Sequence, residues 1–364
     1  MVFLHNIHLH YTNYFMKFLS RSVSFLSAVV LCSFLSSCSK ENGPGSKPPA
    51  VFDTSESAKP VTITEKEHRI YFRPKVGDVF RYRIWQKSNS SAVSTGPMAG
   101  NETAMSEDSY YLKQTIRAIR PDSSVDLSFR FDSINVRLEK DTMKINLSSN
   151  RPADLKDPRF ASYAALLGVD IGVIVTRFCD IKEMYGTTDL ISKIMQRYPD
   201  SLRTPDNINV MKQQIEGTIA EYVHETMMHY PDHPLAKDST MTASVEQNVP
   251  VWANVIYPTQ IDIKQVLTGF EERGDKTLAV FTTTTSYRPK QSVIENGPVK
   301  STLNNYTAST KEEIRVEDAT GALVYRKETD DQSFTLILES KDEPANKLQT
   351  DRKSRSVRTI ELLR

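Results

Sequence analysis

Residues 221–233 hold the side chains in this sequence whose types and spacing come nearest to a catalytic metal site. The run reads Glu-Tyr-Val-His-Glu-Thr-Met-Met-His-Tyr-Pro-Asp-His. His224 and Glu225 followed by His229 resemble a zincin motif, in which two histidines four residues apart on one helix face bind one zinc ion. Here the two histidines are five residues apart. That spacing places them about 140° apart around a helix.

Two other pairings in this run have partial metal-site spacing. Glu221 and His224 are three residues apart and resemble one half of a di-iron carboxylate site, which needs a second such pair. His229 and His233 are four residues apart, but Pro231 lies between them and breaks a helix. We therefore expect the end of a helix, where histidine complements the helix dipole and donates to the last carbonyl groups. The alternative is a metal-dependent hydrolase that binds its metal through His224, Glu225, His229 and His233.

The mature chain is expected to keep a single cysteine thiol. Of the three cysteines, Cys32 would leave with a signal peptide and Cys38 would carry lipid, so Cys179 remains and an intramolecular disulfide is excluded. A lone cysteine in a strand-like stretch is usually a small buried side chain. The sequence also lacks Gly-x-Ser-x-Gly, P-loop, Gly-x-Gly-x-x-Gly and Cys-x-x-Cys motifs. We expect a protein that is not an enzyme and uses no cofactor.

The charge balance argues against nucleic acid as a partner. The 364 residues include 46 Lys and Arg against 45 Asp and Glu, which gives a net charge of +1. The net charge is therefore too small to attract a polyanion such as nucleic acid. The hydrophobic fraction of 39% is enough for a sizeable core.

The N-terminus has the order of a bacterial lipoprotein signal. From Met16, a basic start precedes an apolar run over residues 23–35, and two serines then lead to Cys38. Leu-Ser-Ser-Cys matches the lipobox, whose cysteine is acylated on sulfur, becomes the first residue after cleavage and is acylated again. The apolar run is too short to span a membrane, which takes about 20 residues. We predict a signal peptide over residues 1–37, with Met16 as the true start, and lipidation of Cys38.

Residues 38–60 are predicted to form a lipidated flexible tether, because Gly, Ser and Pro recur along them. Residue 39 is Ser, not the Asp that resembles an inner-membrane retention signal. The expected location is therefore the outer membrane, on its periplasmic face or at the cell surface. The expected partners are the membrane, through the anchor, and a lipid or another envelope protein.

Period-two alternation dominates the rest of the chain. Residues 125–132 place Val125, Leu127, Phe129 and Phe131 on one face and polar residues on the other, which is typical of a half-buried antiparallel strand. Similar strands are predicted before and after it, and again from residue 260 onward. The Ser-rich residues 88–107 are predicted to be a mobile hairpin loop.

A helical insert is predicted over about residues 187–230. Thr187 opens a short helix, and Thr204 with Pro205 supplies an N-cap and first turn for a longer one that should run to the Tyr230-Pro231 pair. Residues 61–364 are therefore expected to form a single α+β domain. In it, a curved, half-barrel-like antiparallel β-sheet packs against the helical insert.

The order of lipobox, tether, the entry strand Gly-Asp-Val-Phe-Arg-Tyr at residues 77–82, long strands and two helices resembles a known group of proteins. These are uncharacterised envelope lipoproteins of Gram-negative, Bacteroidota-type bacteria, whose domain is similar to the lipoprotein-carrier half-barrels. The resemblance implies binding of a ligand or acyl chain in the concave face of the sheet. The candidate lining is Val125, Leu127, Phe129, Phe131, Ile134 and Val136.

Three functions follow as hypotheses. The preferred one is a non-enzymatic, lipid-anchored cell-envelope protein that binds an apolar ligand or an acylated or protein partner in the concave face. The alternative is a surface or periplasmic protein-interaction or assembly accessory that uses strand edges and residues 88–107. The third is the metal-dependent hydrolase. A large open apolar pocket would favour the first hypothesis, and a filled core with a flat aromatic patch would favour the second. Histidine side chains that converge on a single point would favour the third.

Overall fold

A computed structural model describes residues 59–61, 68–97, 99–196, 203–252, 255–341 and 347–363. The predicted signal peptide with its start at Met16, the predicted lipidation site Cys38 and residues 39–58 of the predicted tether lie outside the described residues.

The described residues form fourteen strands that join in one sheet. The strands are β1 Lys59–Val61, β2 Val79–Thr95, β3 Gly100–Ile119, β4 Val125–Lys140, β5 Met143–Ser148, β6 Ile171–Val175, β7 Ile181–Tyr185, β8 Thr240–Trp252, β9 Val255–Arg273, β10 Lys276–Pro289, β11 Val293–Asn296, β12 Val299–Glu317, β13 Leu323–Ser340 and β14 Lys347–Leu363. The helices are α1 Ala161–Leu166, α2 Thr187–Met195 and α3 Pro205–Glu225, with short 3₁₀ turns at Asp154–Lys156 and Pro158–Phe160.

The predicted α+β class is wrong, because the described chain is mostly antiparallel sheet. The three α-helices have only 6, 9 and 21 residues, whereas six of the strands have 17 or more. Strands of that length are about three times the common length in globular proteins. The helices fill one part of the inner face and do not form a layer equal to the sheet.

Neighbouring strands follow the order β1-β9-β10-β12-β13-β14-β2-β3-β4-β6-β7, while β5 pairs with β4, β8 with β9 and β11 with β12. All these pairs are antiparallel. The C-terminal strand β14 therefore lies between β13 and β2. Most of the other neighbours are joined by hairpins, which antiparallel pairing allows.

The long strands give the sheet two ends. At one end, β2 begins at Val79, β3 ends at Ile119 and β9 ends at Arg273; we call this the core end. At the other, tight turns join β2 to β3 and β4 to β5; we call this the hairpin end. The inner face is the face that carries Ile84, and the outer face is the opposite one.

The main hydrophobic core lies on the inner face at the core end. Ile215, Ile219 and Val223 of α3 are buried there against strand residues. The ring of Tyr222 lies 5.0 Å from that of Phe131 at an interplanar angle of 86°, an edge-on contact that is favourable beyond its buried area. Helices α2 and α3 thus cover the apolar inner face of β3 and β4.

The start of α3 is as predicted and its end is not. Thr204 caps the helix, since its hydroxyl accepts a hydrogen bond from the Asn207 amide, and Pro205 follows at the first turn. The helix ends at Glu225, short of the predicted Tyr230. Arg326 of β13 donates to the carbonyl groups of residues 224, 225 and 227, which satisfies the last turn from the sheet.

The predicted loop over residues 88–107 is also wrong. Strand β2 continues to Thr95 and β3 begins at Gly100. Ser88 pairs with Ser106 on one side, and Ser90 pairs with Ser354 of β14 on the other. Because both neighbours supply backbone hydrogen bonds, weak β-forming residues are held in extended strands.

Residues 68–78 cross the core end. His68 pairs with Leu235, the Phe72 amide donates to the Arg177 carbonyl, and the Arg73 amide donates to the Thr320 carbonyl. At Gly321, where φ is +65°, an added Cβ would lie 2.2 Å from the Tyr71 carbonyl oxygen. Only glycine fits so close to this crossing segment.

No helix among the described residues has the length and apolar character that crossing a bilayer requires.

Candidate functional site

Alternation along β2 decides which residues of the hairpin half face outward. Tyr82 and Ile84 are buried in the core, so the odd-numbered Asn89 and Ser91 lie on the outer face. Register then defines two rows that run across the strands. Thr307, Ser333, Lys353, Ser91 and Thr103 follow one another in the first row, and Ser309, Asp331, Arg355, Asn89, Met105 and Glu139 in the second.

These two rows line a cavity of about 740 Å³ in the hairpin half. Five strands each contribute two outward side chains at positions i and i+2, together with the residue between them. Strand β4 contributes Glu139, and Asp141 lies in the turn that follows it. The volume is within the usual range for ligand pockets. We call this cavity the polar trough and define it by its outward side chains: Asn89, Ser91, Thr103, Met105, Glu139, Asp141, Thr307, Ser309, Asp331, Ser333, Lys353 and Arg355.

The polar trough carries charges of both signs. Arg355 and Asp331 lie 3.7 Å apart, with 66% and 56% of their side chains exposed, and a pair so exposed contributes little to stability. Among the described residues, no ion pair involves Lys353. The hydroxyl groups of Thr307 and Ser333 lie 2.8 Å apart beside it. The charges are therefore available to a ligand at small cost.

Two acidic groups of the trough lie apart from its basic groups. Glu139 is at the end of β4 and Asp141 is in the turn after it, while Lys353 and Arg355 are on β14. Three strand spacings separate β14 from β4, or about 14 Å. A ligand that contacts both groups must be extended over that distance.

A second set of charges is buried on the inner face. Glu225 at the end of α3 forms an ion pair with Arg358 of β14, and Glu312 lies directly opposite Glu328 on neighbouring strands. One carboxylate oxygen of Asp108 is buried without a hydrogen-bond partner. Burial raises the pKa of Asp108 to about 7, although nearby Arg358 lowers it in part. The Glu225–Arg358 pair joins α3 to the sheet, and these buried groups do not form an open site.

The comparisons with known proteins bear on this arrangement. A family model described as "Family of unknown function (DUF6263)" matches residues 122–321, more than half of the chain. The chain belongs to this family. No curated protein matches the chain. Nothing in these matches supports the expected Bacteroidota-type lipoprotein family, and that resemblance stays a prediction.

Solved structures resemble this family member only distantly. A lipovitellin structure, "Lipid-protein interactions in lipovitellin", has 11% identity and a TM-score of 0.38, covering 79% of this chain and 25% of that one. The chain thus spans a quarter of the lipovitellin length. The outer membrane protein OpdK of Pseudomonas aeruginosa has 6% identity and a TM-score of 0.16, covering 77% and 99% of the two chains. A BenF-like porin of Pseudomonas fluorescens has 7% identity and a TM-score of 0.17, covering 79% and 99%.

The six predicted lining residues lie together on the inner face of β4, away from the polar trough. Val125, Leu127, Phe129, Phe131 and Ile134 are at most 2% exposed, and Val136 packs against the same core. The chain's own helices occupy the space in front of them. That these six residues bind a ligand is still a prediction from the sequence alone.

The histidines of residues 221–233 contact different partners. His229 Nδ1 lies 3.0 Å from Asp180, and His233 Nδ1 lies 3.3 Å from Asp232, while Glu225 pairs with Arg358. The part of the chain that the structure describes contains no group of three or more His, Cys, Asp or Glu side chains that could hold a metal ion.

Cys179 is buried, as predicted. It lies in the turn between β6 and β7, not in a strand, with a φ of 70°. Burial raises the pKa of its thiol well above the usual value, which disfavours the nucleophilic thiolate.

Sequence reasoning missed the polar trough. The run Arg-Lys-Ser-Arg-Ser at residues 352–356 does carry a signal, since period two places Lys353 and Arg355 on one face. Their neighbours in the trough lie near residues 90, 104, 308 and 332 of the chain. Only the strand order brings these four segments together.

Proposed function

We propose that this protein is a non-enzymatic, lipid-anchored component of the cell envelope that binds a polar, extended segment of another envelope protein in the polar trough. The observation that carries the proposal is the trough itself, a cavity of about 740 Å³ lined by hydroxyl, amide and charged groups. The anchor would be the lipid on Cys38, and the location the outer membrane.

The composition of the trough favours a polypeptide over an apolar ligand. Met105, Ala104 and Ala308 are the apolar side chains among the residues that line it. The larger apolar surface, on the inner face, is covered by α2 and α3. A partner with an acidic group can pair with Lys353, whereas an acyl chain would leave the charge of Lys353 desolvated and unpaired. Glu139 already pairs with Arg137 at 2.7 Å, and a basic group of the partner would add a second contact.

The spacing of the charges predicts a feature of the partner. Because an extended chain rises about 3.4 Å per residue, four residues cover the roughly 14 Å between β14 and β4. The segment that fits should carry an acidic residue for Lys353 and Arg355 and a basic residue about four positions away for Glu139 and Asp141.

Two synthetic Gly/Ser peptides of equal composition test this directly. In one, Asp and Lys are four residues apart; in the other, they are adjacent. Fluorescence anisotropy should show tighter binding of the spaced peptide, and the Lys353→Glu/Arg355→Glu variant should lose that preference. Equal binding of both peptides, or no binding of either, contradicts the proposal.

In cells, a photo-crosslinking residue at Ser91 should give one discrete protein adduct. The same residue at Thr284, which is exposed on the outer face outside the trough, is the matched control and should give none. Charge reversal at Lys353 and Arg355 should abolish the Ser91 adduct, and a complementary reversal in the partner should restore it. Native mass spectrometry with lipid extraction separates the other hypothesis, since co-purifying acyl species would favour an apolar ligand in the interior.

A further inference from the structure

Two arginine side chains lie against one tyrosine ring at the core end. The segment that crosses this end buries Ile70 and Phe72 in the main core. The alternate residues, Tyr71 and Arg73, therefore lie on its solvent side. The Arg73 guanidinium carbon lies 5.1 Å from the centre of the Tyr71 ring, and that of Arg177 lies 5.6 Å from the same centre. The two guanidinium groups are thus no farther apart than the sum of these distances.

Backbone and ring contacts hold both guanidinium groups in place. Arg73 donates through Nη2 and Nε to the carbonyl groups of residues 318 and 319, at 2.7 and 2.5 Å. Arg177 lies in the turn between β6 and β7, and its guanidinium carbon is also 4.8 Å from the centre of the Phe178 ring. Aromatic rings cover the faces of a guanidinium group and leave the N–H groups along its edge free to donate.

The two arginines are exposed, and among the described residues neither forms an ion pair with a carboxylate. Two acidic residues lie nearby, and each already has a histidine partner. Asp180 contacts His229 at 3.0 Å. Asp318 contacts His68 at the same distance. Because the like charges of the arginines repel each other, an anion that contacts both of them is favoured.

We propose that Tyr71, Arg73 and Arg177, which we call the arginine clamp, bind the phosphate groups of a ligand. The edge of a guanidinium group matches two phosphate oxygens at once, and the Tyr71 hydroxyl is a further donor. Phosphate fits this set better than carboxylate does, because its oxygens point in tetrahedral directions and it carries up to two negative charges. A ligand with two phosphate groups can contact both guanidinium groups.

Isothermal titration calorimetry with pyrophosphate tests the clamp, on the full mature chain with Cys38→Ser so that it cannot be lipidated. Pyrophosphate should bind, and acetate should bind much more weakly. Arg177→Gln, at an exposed position, should fold normally and weaken pyrophosphate binding about tenfold or more. Arg177→Lys keeps the charge but lacks the planar edge, so it should not restore full binding. The matched control Arg288→Gln removes an exposed arginine that pairs with Asp262, and it should bind as the parent protein does.

Vesicle sedimentation identifies the source of the phosphate. Binding to phosphatidylcholine vesicles that contain phosphatidic acid, in addition to pyrophosphate, assigns the clamp to a lipid headgroup, and binding to pyrophosphate alone assigns it to a soluble phosphate compound. The proposal is overturned if pyrophosphate does not bind, if acetate binds as tightly, or if Arg177→Gln and Arg288→Gln weaken binding equally. Lys353→Glu/Arg355→Glu should leave pyrophosphate binding intact, and Arg177→Gln should leave peptide binding in the polar trough intact, so the two proposals fail separately.

Discussion

Asp108 shows how burial changes the acidity of one side chain. It lies on β3 with a buried carboxylate oxygen that accepts no hydrogen bond from the described residues. Burial raises its pKa to about 7, which means that the folded protein holds a proton that the unfolded chain would release. Alternation along β3 could place Asp108 on the inner face from sequence, but its proximity to Arg358 depends on strand order.

Replacing Asp108 by Asn should change how stability depends on pH. A raised folded-state pKa stabilises the fold below the unfolded value, and this stabilisation is lost as pH rises through about 7. The difference in unfolding free energy, Asp108→Asn minus parent, should therefore increase between about pH 4 and pH 8, by up to about 4 kcal/mol.

Urea unfolding at several pH values measures this difference. Asp275→Asn, in the exposed β9–β10 turn, is the control and should track the parent protein. A flat difference between Asp108→Asn and parent across the pH range contradicts the assignment.

At the scale of elements, the sequence pattern correctly predicted the features that depend only on residues near in the chain. Period two identified β4, and the Thr204-Pro205 pair identified the start of α3. The errors come from distant partners. Residues 88–95 are strand because β14 pairs with them on one side and residues 100–106 on the other. Helix α3 ends early where Arg326, about a hundred residues later, binds its last carbonyl groups.

Two glycines with nearly the same backbone conformation allow the cost of backbone strain to be measured apart from the cost of a steric clash. Gly321 has a φ of +65° and Gly274 a φ of +61°, but only at Gly321 does the added Cβ meet another atom within 4 Å, the Tyr71 backbone. Gly274→Ala should cost about 1 kcal/mol for the left-handed conformation. Gly321→Ala should cost clearly more, because the crossing segment must move.

Thermal unfolding of the two variants gives the comparison. Equal losses in melting temperature would mean that residues 68–78 shift freely and do not brace the core end.

At the scale of the molecule, the strand order could not be predicted. The polar trough joins β2 and β3 to β12, β13 and β14, segments more than 200 residues apart in the chain. Alternation with a period of two residues shows which face of the sheet a residue occupies, but it does not show which strand lies beside it. The prediction of an α+β fold also failed at this scale. The long strands outnumber the helices, and the full length of each strand depends on the strands that pair with it.

Removing β14 should abolish folding, because this strand lies between β13 and β2 and its loss divides the sheet. Deleting residues 347–364 should leave no cooperative unfolding transition by circular dichroism. Removing the edge strand β1, as a deletion of residues 59–61, is the comparison and should leave a cooperative transition at lower temperature. A truncated chain without β14 that still unfolds cooperatively would show two independent half-sheets.

The position of β14 also sets the order of biogenesis. A ribosome makes these 17 residues more than 200 residues after β2, the strand with which they pair. Until they arrive, β13 and β2 each present an unpaired edge, which is a template for aggregation. The partly made chain would therefore depend on chaperones until β14 emerges, and a premature stop codon before residue 347 would yield a protease substrate instead of a shortened working protein.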